Sequence, residues 1–489
     1  MGKSMTTIKS LAMGTAATLA VLGSAQAADL PVKAKAVEYV KICSLYGAGF
    51  YYIPGTDTCI KIGGYVRADV TLNGIAAHEE PGWRGATGAG TRDRNYFIAR
   101  SRLDFNLDTR TATEYGVVRT YAEVMNQWTT GDAVAGGGLG VYFAFVQFAG
   151  FTIGKAVSVF STPWLGSPGN IGSYLLGGED SNSGVNQLSY TAQFGNGMSA
   201  SVGVEDPMAG NRKILINTAN MTAAAAASGA YTDSYGGFVA PDIVGSFRID
   251  QAWGLFQVSA AAHNIHATYY GATELSGHPS DAWGYAVLVG LALKDLPTGK
   301  GDRINVDATY ANGATRYIIG GTTNAASNFA IFGGGDGLGA YQSIALGAAA
   351  DGIFSPGGGI EKNTAWGVRG AYTHNWDAYW STSVFGAYTR VEYSGNGAAL
   401  YCGRYAAITG AKSIDYSCNP NFSLPQVGAT VRWTPVRGLT FSGEVMYTRL
   451  EQNMTGAAVL APGGFKPTTV YEFKNQDVWS GGLRVQRTF

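Results

Sequence analysis

The chain has 489 residues, of which only 14% are charged, whereas 12% are aromatic and 70 are glycines. Average soluble proteins contain roughly 25% charged residues, and a disordered chain needs high charge and few aromatics, so the composition excludes disorder. The 34 basic and 34 acidic residues cancel, which leaves no electrostatic footprint for nucleic acid and favours a glycine-rich, aromatic-rich β protein.

The first 27 residues have the pattern of a signal peptide. Lys3 and Lys9 precede an uncharged stretch from Leu11 to Leu22, and Ala25-Gln26-Ala27 supplies the small residues that a signal peptidase recognises. A membrane anchor is the alternative, but this apolar run is shorter than the roughly 17 residues that span a bilayer. We therefore expect residues 1–27 to be removed after export.

Four cysteines form two couples of equal spacing. Cys43 and Cys59 enclose 15 residues, and so do Cys402 and Cys418. In an oxidising compartment, pairing within each couple closes the shortest loops and so costs the least chain entropy of the three possible connectivities. A zinc site is the competing interpretation, although neither couple has the short C-x-x-C spacing or a nearby histidine. We expect residues 28–59 to form a periplasmic segment closed by one disulfide, the other disulfide to pin a long loop, and no metal or cofactor to be bound.

Apolar and polar residues alternate in strand-length segments from residue 60 onward. After Ala99, the residues Leu103, Phe105 and Leu107 lie on one face of a strand. The opposite face carries only polar residues, namely Arg100, Arg102, Asp104, Asn106, Asp108 and Arg110. A soluble sandwich would bury that face without enough partners, whereas a membrane barrel turns it toward an internal water column.

This alternation predicts sixteen strands. They begin near residues 60, 95, 114, 141, 151, 184, 198, 242, 254, 283, 302, 364, 378, 426, 438 and 477. Links after even strands are short and links after odd strands are long, as in outer-membrane barrels. We predict an all-β fold, a transmembrane antiparallel β-barrel of residues 60–489 with short periplasmic turns, long extracellular loops and both termini periplasmic.

Several segments resemble the outer-membrane porins of alphaproteobacteria, in particular the rhizobial and brucella-like type. They are Asp29-Leu30-Pro31, Cys43–Arg67, Phe145–Lys155 and Leu483–Phe489. The resemblance implies a homotrimer of sixteen-stranded barrels, each with its own diffusion pore that is narrowed by the third extracellular loop. One departure concerns ion preference, because Lys155 stands where relatives usually carry arginine, and Phe160-Ser161-Thr162 lacks an acid.

The predicted constriction loop is the link between strands five and six, residues 158–183. Its only charged residues are Glu179 and Asp180, which we expect to oppose lumen bases and create a transverse field. The candidate bases are Lys61, Arg67, Arg100, Arg102, Arg119 and Lys155. Two alternatives stay open: inward pairs such as Arg100 and Asp104 neutralise each other along the wall, or the two acids lie at the loop exit.

The sequence therefore predicts a porin in the outer membrane that passes small hydrophilic solutes and ions by passive diffusion. Its expected partners are membrane lipid, further copies of the chain and the solutes, but no nucleic acid. A substrate-selective channel and a surface adhesin or receptor barrel are the alternatives. An enzyme is not expected, because the pair His263 and His266 lacks the H-E-x-x-H spacing and has no G-x-S-x-G sequence to accompany it.

Overall fold

The structure is a computed structural model that describes residues 41–75, 77–83, 91–92, 94–207, 213–320, 327–333, 342–464 and 466–489. The predicted signal peptide, residues 1–27, lies outside the described residues, as do residues 28–40 of the predicted periplasmic segment. Within the described part of the chain, no helix is long and apolar enough to cross a membrane.

Sixteen antiparallel strands form one closed barrel. In chain order β1 to β16 they are Thr58–Leu72, Phe97–Thr113, Gly116–Thr129, Gly138–Phe148, Phe151–Ala156, Val185–Gly195, Met198–Glu205, Asp242–Gln251, Gly254–Ile265, Ala282–Leu293, Arg303–Asn312, Thr364–Asn375, Trp380–Glu392, Phe422–Val436, Leu439–Gln452 and Gln476–Thr488. Each strand pairs with its sequence neighbours, and β1 also pairs with β16 from Tyr65 opposite Thr488 to Leu72 opposite Gly481. The predicted all-β barrel of sixteen strands is confirmed.

Tight turns close one end of the barrel, which we call the turn end. Ala149 and Gly150 join β4 to β5 with φ values of 49° and 88°, and Asn196 and Gly197 join β6 to β7 with φ values of 53° and 75°. Two consecutive positive φ values match the twist of the flanking strands, and glycine and asparagine adopt them at low cost. All the long connections therefore emerge at the opposite end, which we call the loop end.

The outer surface of the barrel is apolar. Val66 is 54% exposed, Ile153 55%, Leu483 57% and Trp479 58%. Large apolar side chains are left in contact with the surroundings in this way when the surroundings are lipid. Arg487 interrupts the outer face of β16 close to the turn end, where its guanidinium donates to the carbonyl of Arg437.

The long loops contain their own secondary structure. One short strand, Tyr51–Tyr52, pairs with β1, and a hairpin joins Gly74–Ile75 to Ala77–Pro81. Ile214–Asn217, Ala350–Phe354 and Glu361–Lys362 form a three-stranded sheet, and Asn328–Gly333, Gln342–Ala348, Ala457–Leu460 and Thr469–Phe473 form a four-stranded sheet. The helices are Ala223–Ala226 and Gly395–Ile408, with single turns of 3₁₀-helix at Ser44–Tyr46, Thr218–Asn220, Glu274–Ser276 and Thr315–Tyr317.

These loop elements pack into the mouth of the barrel. Ala226, Phe329 and Tyr405 from three different loops are at most 1% exposed and share one core with inward-facing wall residues such as Leu288 and Val391. The expectation that the inner face of every strand meets water is therefore wrong at the loop end of β8 to β16. There the inward positions are small or apolar, because they cover a dry core rather than a water column.

Both cysteine couples form disulfides, as predicted. Cys43 is joined to Cys59, and Cys402 to Cys418. The first closes the segment before β1 around the buried ring of Phe50. The second ties the helix Gly395–Ile408 to the chain that leads into β14, and both of its cysteines pack against the core at the loop end.

We predict that replacing Cys402 and Cys418 together by serine loosens the loop core and leaves the wall intact. Closing a loop of this size is worth about 3 kcal/mol by the chain-entropy argument, and the lost constraint should raise protease cleavage between β13 and β14 severalfold. Limited proteolysis followed by mass spectrometry measures this. The matched control, Cys43→Ser with Cys59→Ser, should leave that region protected; equal protection in both double variants contradicts the prediction.

Candidate permeation pathway

Loop 3, residues 157–184 between β5 and β6, lies inside the barrel. Arg369 of β12 donates from Nη2 to the carbonyl of Glu179 at 2.6 Å and from Nη1 to the carbonyl of Gly178 at 3.3 Å. The same guanidinium pairs with Asp307 of β11 at 3.0 Å, and Trp164 of loop 3 donates to that carboxylate at 2.5 Å. Because the ion pair is buried, its remaining donors need partners, and the loop backbone supplies them.

Other wall side chains hold loop 3 along its length. Gln426 of β14 accepts from the amide of Leu176 at 2.8 Å and donates to the carbonyl of Tyr174 at 2.9 Å. Arg432 donates to the carbonyl of Gly169 at 2.6 Å. Gln257, Asn305 and Arg484 also donate to loop 3 carbonyls. These residues belong to β9 and later strands, so beyond its start, where Gln187 of β6 donates to the carbonyl of Val157, loop 3 lies against that side of the barrel.

Glu179 and Asp180 face the buried side of loop 3. Their residues are 0% and 1% exposed, and Ser161 donates to the Glu179 carboxylate. Burial raises the pKa of Glu179, and it raises the pKa of Asp180 to about 7. The bases that face them are Arg316 and Arg369. The sequence predicts that bases of the early strands oppose these acids. The tethers between loop 3 and the later strands instead turn both carboxylates away from the early strands.

A ladder of charges lines the inner wall where the barrel closes. Arg100 of β2 is buried and pairs with Asp69 at 2.9 Å and with Glu79 at 2.7 Å. Arg484 of β16 also pairs with Glu79 and lies 3.5 Å from Asp69. This arrangement agrees with the interpretation that inward charges neutralise each other, although the partner of Arg100 is Asp69 on the next strand rather than Asp104.

Two of the predicted bases are held by amides. Arg67 donates to Gln486 at 2.8 Å and its guanidinium lies 4.4 Å from the ring centre of Tyr65. Arg102 donates to Gln127 at 2.7 Å. Since the acceptor in each of these hydrogen bonds is neutral, neither guanidinium is paired directly with an acid of the described residues, and the nearby carboxylate of Asp104 offsets part of their charge.

Arg119 and Lys61 lie nearer the turn end. Arg119 of β3 makes a two-pronged pair with Asp108 at 3.0 and 2.9 Å and donates to Gln147 at 3.0 Å. Lys61 of β1 is exposed, and its Nζ lies 5.9 Å from the ring centre of Phe50. Both therefore line the inner wall, as predicted from alternation, but neither faces an acid of loop 3.

Lys155 does not point into the barrel. It pairs with Ala144 of β4 and Asn186 of β6, two positions from Ile153, which is 55% exposed on the outer face. Its Nζ donates to the carbonyl of Val141 at 2.5 Å. Period-two alternation along β5 thus puts Lys155 on the outer surface at the loop end, which corrects its assignment to the lumen.

Open space remains beside β3 to β8. A cavity of about 410 Å³ extends from Tyr121 of β3 to Arg248 of β8 and is bounded by the start of loop 3. A second cavity of about 400 Å³ at the turn end shares Gln147, Thr152 and Thr191 with the first, so the two are contiguous. Tyr46 lines the second cavity, so the segment before β1 contributes to the pathway, a role that the sequence did not suggest.

A third space lies under loop 3. It has a volume of about 630 Å³ and is bounded by Trp164 and by wall residues near the turns, including Asp250, Lys294 and Arg303. Loop 3 thus separates a turn-end vestibule from the core at the loop end. The geometry is that of an obstructed aqueous tube, in which the obstruction decides what passes.

The histidines of β9 and its loop have separate acidic partners. His263 bonds Asp242 at 2.6 Å and Tyr235 at 3.0 Å, whereas His266 bonds Asp281 at 2.7 Å. His263 is buried under the loop core. Among the described residues, no cluster of three or more histidine, cysteine or acidic side chains has the arrangement of a metal site.

The family profile and the similar proteins both point to porins. A family profile described as "Porin subfamily" matches residues 29–482. Porin Omp2b of Brucella abortus and its counterpart in Brucella melitensis are each 32% identical over 265 residues, which is 50% of this chain. The match spans 63% of the length of each of these relatives.

A solved structure shares the fold. The outer membrane channel DcaP of Acinetobacter baumannii superposes with a TM-score of 0.59 at 16% identity, covering 90% of this chain and 99% of that one. At this identity the likeness concerns the barrel architecture alone.

We predict that Arg369→Met releases loop 3 from the wall. The substitution leaves the Asp307 carboxylate without its charged partner and the carbonyls of Leu175, Gly178 and Glu179 without their guanidinium donor, which should raise open-channel current noise severalfold in planar bilayers. The control is Arg102→Met, which also removes an inward guanidinium but no loop contact. It should change charge selectivity and leave the noise as in the wild type; similar noise in both variants would show that Arg369 is not the tether.

Proposed function

The chain belongs to the porin subfamily, and from this premise we propose that it forms a water-filled outer-membrane channel for passive diffusion of small hydrophilic solutes and ions. One observation carries the proposal: a closed barrel of sixteen strands with an apolar exterior holds a tethered loop beside contiguous cavities lined by polar side chains. Sixteen strands enclose a lumen wide enough for an aqueous channel. Family and relatives indicate a channel rather than an enzyme.

The charges along the pathway support general rather than strongly ion-selective diffusion. Arg100 and Arg484 are compensated by Asp69 and Glu79, and Arg119 is compensated by Asp108. Arg67 and Arg102 form no direct salt bridge with the described residues and are only partly offset by the nearby Asp104, so they favour anions modestly. Glu179 and Asp180 lie on the buried side of loop 3. Their carboxylates contribute little field to the open side of the pathway, because Arg316 and Arg369 beside them neutralise their charge locally.

We also propose that three copies of the chain assemble into a homotrimer with one pore each, as the resemblance to porins implies. The apolar exterior that meets lipid also offers a surface for subunit contact. Single-channel recording tests this directly, because a trimer of independent pores closes in three equal conductance steps under high voltage. Single-step closure would indicate a monomeric channel.

Liposome swelling tests the function itself. Proteoliposomes that contain the purified protein should swell in isotonic arabinose or glucose and much more slowly in a large oligosaccharide. A surface adhesin or receptor barrel passes none of these solutes, and a strictly substrate-selective channel passes only one. Absence of swelling, with folding verified by heat-modifiable migration in gel electrophoresis, contradicts the proposal.

We predict that Glu179→Gln with Asp180→Asn leaves the reversal potential in asymmetric KCl unchanged, because both carboxylates are shielded from the open pathway. The matched double variant Arg67→Gln with Arg102→Gln removes two inward positive charges that form no direct salt bridge with the described residues and should shift the reversal potential toward cation preference. If the acid variant shifts it and the arginine variant does not, loop 3 carries the selecting charge after all.

A further inference from the structure

The cavity beside β3 to β8 has one aromatic side. Tyr121 of β3 and Phe145 of β4 are cross-strand partners whose rings are stacked, with centroids 5.4 Å apart and planes at 27°. The ring of Phe143 follows, 6.3 Å from that of Tyr121. All three rings are half-buried and line the cavity, so together they form an apolar shelf, which we call the aromatic shelf.

The opposite side of the same cavity carries small hydroxyl groups. Those of β6 to β8 that line it are Ser189, Thr191, Ser199, Ser201 and Ser246. Thr191 and Ser201 bond each other at 2.8 Å, and Ser189 donates to Gln187 at 2.8 Å. Within the described part of the chain, the hydroxyls of Ser199 and Ser246 form no hydrogen bond, so they remain available to a solute.

One charged group completes the site. Arg248 is the single ionisable side chain, apart from Tyr121, among the described residues that line the cavity. Its Nε donates to Gln257 at 3.0 Å, which orients the guanidinium. Its two Nη groups make no hydrogen bond to the described residues and can donate to oxygen atoms in the cavity. Among the described residues, no carboxylate lines this space.

We propose that this cavity is a binding subsite for a neutral sugar, which deepens and rests on the proposed diffusion function. A pyranose ring presents C–H groups on its faces and hydroxyls around its edge. The aromatic shelf packs against the C–H face of the sugar, since aromatic rings bind through their faces. The hydroxyls of Ser199 and Ser246 donate to or accept from the sugar hydroxyls, and Arg248 donates to them. The volume of about 410 Å³ lies within the range of small-molecule sites.

The predicted behaviour is saturable interaction within an otherwise general pore. The test is single-channel recording in KCl with increasing glucose or sorbitol. Sorbitol is close to glucose in size and also rich in hydroxyls, but it has no ring face. Glucose should reduce the current along a saturating isotherm, whereas sorbitol should reduce it linearly, as expected from viscosity alone. Linear behaviour for both solutes overturns the subsite.

Variants assign the effect to the aromatic shelf. Phe145→Leu keeps apolar bulk but removes the flat ring, and it should raise the half-saturating glucose concentration roughly three- to tenfold, the value of one aromatic contact. Phe145→Tyr keeps the ring and should restore binding. The control Phe247→Leu makes the same exchange on the outer face of β8, where Phe247 is 40% exposed, and should have no effect.

The two proposals fail in different ways. A protein that gives no conductance in KCl contradicts the channel function, and the sugar experiment then has no current to measure. A protein with normal KCl conductance whose glucose response is unchanged by Phe145→Leu contradicts only the sugar subsite. A lower half-saturating concentration in Phe145→Leu would likewise exclude stacking as the cause.

Discussion

The pairing of the first strand with the last is the constraint on which the rest of the structure depends. In lipid, an unpaired backbone group has no water to bind, so a sheet can span the membrane only when it has no edges. Closure of β1 on β16 satisfies this requirement and at the same time creates an interior. The shape and position of the channel follow from how side chains and loops fill that interior.

Polar tethers and an apolar core fill it in two different ways. At mid-height, Arg369, Gln426 and Arg432 hold the backbone of loop 3 against β9 and later strands. At the loop end, side chains from several loops form a dry core on the wall of β8 to β16. Since both fillings occupy the same side, water at the height of loop 3 is left with the opposite side, beside β3 to β8, whereas the space under loop 3 reaches β8 to β11. The asymmetry of the pathway is thus a consequence of packing.

The sixteen strands, their order and the disulfide pairs were accessible from the sequence because each rests on local information. Alternation with period two marks the wall, and turn residues such as Asn196 and Gly197 mark the short links. The helix Gly395–Ile408 was missed because it begins with Gly395-Asn396-Gly397, residues that disfavour helix; Ser394 caps it by accepting from the amide of Gly397. The two loop sheets form between segments far apart in the chain, so no local pattern predicts them.

The residues of the pathway were only partly accessible. The sequence by itself determined the inward face of most strands, and hence that Arg67, Arg100, Arg102 and Arg119 line the interior, although it misplaced Lys155 of β5. Only the tertiary structure decided which of these arginines pair directly with an acid and that Glu179 and Asp180 turn away from the open pathway. It also placed Tyr121, Phe143 and Phe145 across a cavity from a group of serine and threonine hydroxyls. The reason is physical. The direction in which a side chain points is set by the geometry of its own strand, whereas charge pairing, burial and cavity shape depend on side chains of distant segments.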